Sequence, residues 1–150
     1  VTEVLIAMLI TVISAATPLL FAALGELVVE KSGVLNLGVE GMMLMGAIAG
    51  FAAATHFDSL ALGVVGAAVI GALMASVFAF LVLVLMANQV ASGLALTLFG
   101  VGLSALIGSG YVGTPLDGLD PLAIPVLSDL PVIGPLLFNH DILVYGSLLM

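Results

Sequence analysis

Four stretches of the chain, near residues 4–29, 37–57, 60–86 and 89–109, are apolar almost throughout. Each is long enough to cross a hydrocarbon core about 30 Å thick, which takes about 20 helical residues. A fifth begins near Ile142 and runs to Met150; as a helix it reaches only about 13 Å. A half-span exposed to lipid leaves its last carbonyls unpaired, so the chain reads as the N-terminal part of a longer transmembrane domain occupying residues 1–150. The expected fold class is an all-α polytopic bundle of four complete spans plus the start of a fifth.

Residues 110–140 interrupt the pattern. Five of the six prolines, Pro115, Pro121, Pro125, Pro131 and Pro135, fall there with Asp117, Asp120 and Asp129. That spacing forbids a membrane helix and suits short interfacial turns. Leu119, Leu122, Ile124, Leu127, Leu130, Val132 and Ile133 keep the loop against the bilayer or the bundle. Pro18 lies inside the first span and removes the N–H that would bond the Ser14 carbonyl, so a kink is expected there, with the Thr17 or Ser14 hydroxyl partly compensating. On the third span Gly63, Ala67, Gly71, Ala75 and Ala79 recur at every fourth position. Gly100, Ser104 and Gly108 repeat the device on the fourth. Such stripes let a neighbouring helix approach closely. Met42, Met43 and Met45 read as adaptable packing rather than a metal site.

Composition sharpens the class. Hydrophobic residues make up 63% of the 150, charged ones 7%, and the mean hydropathy is +1.46. A soluble domain is about a quarter charged, and a disordered chain has low hydrophobicity, so both are excluded. Lys31 is the single base against nine acids, giving a net charge of −8. With no basic face, nucleic-acid binding and polybasic attachment to anionic lipid are excluded. The chain has no cysteine, which removes disulfides, thiolate metal sites and cysteine nucleophiles. The first run lacks a basic leader and is too long for a signal peptide. By the positive-inside rule Lys31 is cytoplasmic, which puts the N-terminus and residues 110–140 outside and residues 87–89 inside.

The polar residues gather in two places. Gly25–Gly41 holds Glu26, Glu30, Glu40, Lys31 and Asn36 among glycines. Glu26 and Glu30 lie on one helix face and repel, with Lys31 to offset them. One reading makes this a solvated turn, Asn36 the N-cap of the second span and Glu40 a first-turn acid favoured by the helix dipole. The other makes it a broken, partly re-entrant segment, with Glu26, Asn36 and Glu40 facing a translocation path and the glycines freeing the backbone. The second node, residues 87–93, starts the fourth span with Asn88 and Gln89. These either cap and bond between helices or face a partner or the pathway. His56, His140, Asp58 and Asp141 lack metal-ligand spacing. Neither a phosphate-cradling loop nor a supported Ser/His/Asp arrangement is present, so no catalytic residue is assigned.

Thr17-Pro18-Leu19-Leu20, Leu24-Gly25-Glu26 and Gly33-Val34-Leu35-Asn36-Leu37-Gly38-Val39-Glu40-Gly41-Met42-Met43-Leu44 resemble permeases of bacterial nucleoside and simple-sugar ABC importers. These belong to one superfamily with ribose-type and branched-chain amino-acid permeases. Asn88–Leu96 and Tyr111-Val112-Gly113 support the resemblance. It implies a multi-pass inner-membrane subunit that performs no covalent chemistry and binds no cofactor itself. The implied partners are a second permease chain, a cytoplasmic ATPase pair carrying ATP and Mg, an extracytoplasmic binding protein and membrane lipid. Alternating access would carry the cargo. Family chains are about twice as long, in line with the incomplete fifth span. The alternatives are a branched-chain amino-acid permease and a secondary transporter.

Overall fold

The computed structural model describes residues 2–123 and 138–150. Among them the chain is mostly helical: α1 (Thr2–Lys31), α2 (Val39–Phe57), α3 (Leu60–Ala79), α4 (Gln89–Gly108) and a short α5 (Ile142–Leu149). α3 runs on as a π-helical turn, Phe80–Val84, and α4 ends in a 3-10 turn, Ser109–Tyr111. Among the described residues, three helical stretches are long and apolar enough to cross a membrane, Val4–Lys31, Leu60–Val84 and Gln89–Tyr111. Large apolar side chains stay exposed along them, among them Val12 and Val28 on α1, Val69 and Leu73 on α3, and Leu98 and Leu106 on α4. So much exposed apolar surface suits a lipid surround, not water.

By internal contact the chain forms two units, Val1–Gly25 with Gly118–Met150, and Glu26–Asp117. In the first unit, α1 stays helical through Pro18, so no break marks the expected kink. Thr17 is buried, and its hydroxyl donates to the Ile13 carbonyl at 3.2 Å. That is the ordinary bond four residues back, not one to the Ser14 carbonyl that Pro18 leaves free.

Also in this unit, Leu122–Ala123 (β1) pairs antiparallel with Asn139–His140 (β2), Leu122 opposite His140. The Tyr145 hydroxyl reinforces the pairing by accepting from the His140 backbone N–H at 3.2 Å and donating to the Leu122 carbonyl at 3.1 Å. The Asp141 carboxylate caps α5 by accepting from the N–H groups of Leu143 and Val144. This two-residue pairing falls within the stretch expected to be non-helical, and the described residues remain mostly helical. Ile124, Leu127, Leu130, Val132, Ile133, Pro125, Pro131, Pro135 and Asp129, which carried much of the expected loop, lie outside the described residues.

In the second unit, α2 packs against both α3 and α4. Met45, Met74, Phe78, Val82 and Leu96 form its buried cluster, with Val34, Met42, Ile48, Ile70 and Leu103 packed around it. A two-residue turn joins α2 to α3: Asp58 takes the left-handed conformation (φ 49°) and the Ser59 hydroxyl accepts from the Leu62 N–H. A Cβ on Gly63 would lie 2.8 Å from Ala54 Cβ and 2.9 Å from the Gly50 carbonyl oxygen. One on Gly66 would lie 2.9 Å from Ala53 Cβ. Small residues therefore do bring α2 and α3 together, but only along the first half of the expected stripe. A Cβ on Gly71 would meet nothing within 4 Å, so the close approach ends before that residue.

Candidate functional site

The polar stretch between α1 and α2 is built into the second unit from several sides. α1 ends in a Schellman arrangement. The Gly33 N–H donates to the Glu30 carbonyl and the Val34 N–H to the Val29 carbonyl, with Gly33 at φ +84°. Only this glycine of the stretch is needed for its left-handed backbone. Residues 34–36 then run without regular structure.

Their N–H groups have partners on two helices. The Leu35 N–H donates to Gln89 Oε1 of α4 at 2.8 Å, and the next one, of Asn36, to Glu26 Oε1 of α1 at 3.0 Å. The Thr97 hydroxyl of α4 donates to the Leu37 carbonyl at 2.8 Å. Asn36 itself is buried, 7% exposed. Its Oδ1 accepts from the Gly38 N–H at 2.9 Å, and its Nδ2 reaches Met42 Sδ at 3.7 Å. An unsatisfied backbone group is costly away from water, so these side chains support a non-helical segment around the buried Asn36.

Two expectations are corrected here. Asn36 does not cap α2: the N-cap position is Gly38, which has no side-chain cap. The Asn36 side chain instead folds the backbone into an Asx turn two residues on. Nor do Gly38 and Gly41 free the backbone from the helix; Gly38 has an ordinary right-handed φ of −89° and Gly41 lies within α2.

Their role is proximity. A Cβ on Gly93 would stand 2.8 Å from the Leu37 nitrogen, and one on Gly41 2.6 Å from the Leu96 carbonyl oxygen. A Cβ on Gly100 would stand 2.5 Å from the Gly41 Cα. α2 and α4 thus cross backbone against backbone at Gly38/Gly93 and Gly41/Gly100. The sequence carried a signal for this that the four-residue stripes overlooked. Gly93 and Gly100 are seven apart on one face of α4, and Gly38 and Gly41 are three apart.

The remaining candidates separate by exposure. Glu40 sits in the first turn of α2 and is exposed, where the helix dipole favours its charge. Asn88 caps α4, its Oδ1 accepting from the Ala91 N–H at 3.0 Å. Gln89 makes the interhelical bond to Leu35. Lys31 and Glu30 are exposed at the end of α1. His56 packs edge-on against Phe57, Asp58 forms the α2–α3 turn, and Asp141 caps α5. Away from this node, an apolar groove of about 520 Å³ lies between α2 and α4, lined by Leu44, Ile48, Phe51, Val101 and Ser104 among others. The Ser104 hydroxyl donates to the Val101 carbonyl. The groove has no charged side chain with which to hold a polar solute.

Long apolar helices with exposed apolar faces, and a polar, glycine-lined segment set into the bundle, define a multi-pass membrane protein. The comparisons with known proteins are more specific. The chain belongs to the family described as the branched-chain amino acid transport system / permease component, whose model matches residues 8–121. It is 43% identical over 141 residues to a putative glucose ABC transporter permease protein of Haloferax volcanii, covering 91% of this chain and 43% of that one. It is 31% identical over 135 residues to a nucleoside ABC transporter permease protein of Lactococcus lactis subsp. cremoris, covering 83% and 43%. A guanosine ABC transporter permease protein of Bacillus subtilis is 30% identical over 135 residues, covering 83% and 42%. The chain therefore spans less than half the length of these relatives. No solved structure gives a significant match.

Proposed function

We propose that this chain forms part of the transmembrane permease subunit of an ABC importer that brings simple sugars or nucleosides into the cell by alternating access across the inner membrane. The observation that carries the reading is the family match together with relatives named for glucose, nucleosides and guanosine. In this reading α2 is a fourth span. Its 19 residues reach about 28 Å, near the thickness of the hydrocarbon core. The N-terminus and residues 110–140 are outside, and Lys31 and Asn88 are inside. A second permease chain, a cytoplasmic ATPase pair using ATP and Mg, and an extracytoplasmic binding protein complete the transporter. The permease performs no covalent chemistry; ATP-driven contacts switch it between two packings.

Within that scheme Glu26, Asn36 and Glu40 serve the cargo path in different ways. Glu40, exposed at the start of α2, is the group free to meet a polar cargo. Asn36 and Glu26 hold the backbone beside it. Asn88 and Gln89 belong to the same inner end, Asn88 through its cap and Gln89 through its bond to Leu35.

The test is uptake of labelled glucose, guanosine and leucine by cells with and without the full-length gene and its partner genes. ATP-dependent uptake of the sugar or the nucleoside is the expected result. Uptake of leucine alone would assign the branched-chain amino-acid reading that the family description favours. Uptake that follows an ion gradient without ATP would replace both with a secondary carrier.

A further inference from the structure

We propose that Glu26 and Gln89 work as one two-point clamp, a pair of positioning residues that hold the Leu35–Leu37 backbone between α1 and α4 and so set the first turn of α2, with Glu40, for transport. The inference rests on the permease reading given above. Successive N–H groups of one short irregular stretch, Leu35 and Asn36, are accepted by side chains from different helices, Gln89 Oε1 at 2.8 Å and Glu26 Oε1 at 3.0 Å. Thr97 holds the Leu37 carbonyl from the α4 side at 2.8 Å. Immediately beyond, a Gly93 Cβ would lie 2.8 Å from the Leu37 nitrogen and 3.0 Å from the Gly38 nitrogen, so the backbone has no room to shift toward α4.

Such a segment has one position while both N–H groups are held. When one acceptor is removed, a backbone N–H loses its protein partner and the stretch is free to rearrange to satisfy it. Because both grips act on adjacent peptide units, loss of one removes most of what the other achieves. Their effects are therefore non-additive. What the clamp needs is an acceptor oxygen, not a charge, so Glu26→Gln preserves it and Glu26→Met, of similar length, does not.

The experiment uses the full-length protein assembled with its partners in proteoliposomes. A nitroxide is placed at Leu35→Cys, since residues 1–150 contain no native cysteine and Leu35 is exposed. Glu26→Met and Gln89→Met should each mobilise the label and lower the maximal uptake rate about tenfold, with the half-saturating cargo concentration within about twofold of wild type. Glu26→Gln should match wild type in both readouts, and the double Met variant should be no worse than the more impaired single within about twofold. The clamp is overturned if the label stays as immobile in the Met variants as in wild type. It is equally overturned if Glu26→Gln is as damaging as Glu26→Met, which would mean the charge acts directly, or if the two losses multiply. Should Glu26→Met fail to assemble, Gln89→Met carries the same test. If the wild-type complex takes up none of the cargoes, the permease reading fails, and the label spectra alone decide whether the clamp exists.

Discussion

α2 meets its two neighbours in different ways. Against α3 the contact is glycine facing alanine methyls, Gly63 on Ala54 and Gly66 on Ala53. Dispersion between small groups holds it, and an added methyl meets another methyl, with main chain close beside it where Gly63 faces the Gly50 carbonyl. Against α4 the contact is backbone on backbone, Gly93 on Leu37 and Gly38, and Gly100 on Gly41. There Thr97 and Gln89 add hydrogen bonds to the segment that leads into α2. The α3 contact is a means of packing helices in lipid. The α4 contact also fixes an irregular polar segment, and a main chain cannot move aside as a side chain can. The comparison separates a contact made partly of methyls from one made, at Gly41, Gly93 and Gly100, of main chain alone.

The largest effect is expected at Gly100 and Gly41. Gly100→Ala places its Cβ against the Gly41 main chain, where no rotamer change relieves it, and should cost about 3 kcal/mol. The midpoint of thermal aggregation of the purified full-length protein, or the fraction that assembles, reads this. Normal stability of Gly100→Ala would show that the helices separate there without cost.

Next comes a contrast within α3. Gly63→Leu should lower the same midpoint markedly, by forcing α2 and α3 apart, whereas Gly71→Leu should leave it close to wild type, because its Cβ meets nothing. Equal loss in both variants would put another helix of the full-length protein against Gly71.

A smaller effect attends Thr97→Val. It removes the hydroxyl from the Leu37 carbonyl and should cost about 1 kcal/mol. Measured beside Gly100→Ala, it divides the α4 contact into its hydrogen-bonded and its packed part.

The helices were readable in the chain because apolar runs of this length admit few alternatives, and all five starts fall within two residues of expectation. α2 begins later than its apolar run suggests, at Val39 instead of 37, because Asn36 turns the backbone first. Periodicity revealed that small residues pack, but not against what. Gly71 shares its spacing with Gly63, yet lies beyond the close approach. The polar node was evident from composition, since ionisable groups stand out in so apolar a sequence. Its internal wiring was not. The bonds of Leu35 to Gln89 and of Leu37 to Thr97 join residues 54 and 60 apart in sequence, and their backbone half bears no mark of residue type. The strand pair closed by Tyr145 was hidden for the same reason.

Glu40 offers the most direct measurement of whether the polar segment serves the cargo or only turns the chain. It is exposed, so Glu40→Gln should cost the fold no more than a few tenths to about 1 kcal/mol of helix-dipole interaction. Uptake is measured with the full-length protein and its partners and normalised to assembled complex. A fall of about tenfold or more, with assembly intact, is expected if the carboxylate meets the cargo. Wild-type uptake by Glu40→Gln would contradict that role and leave Glu40 as a helix-dipole partner alone.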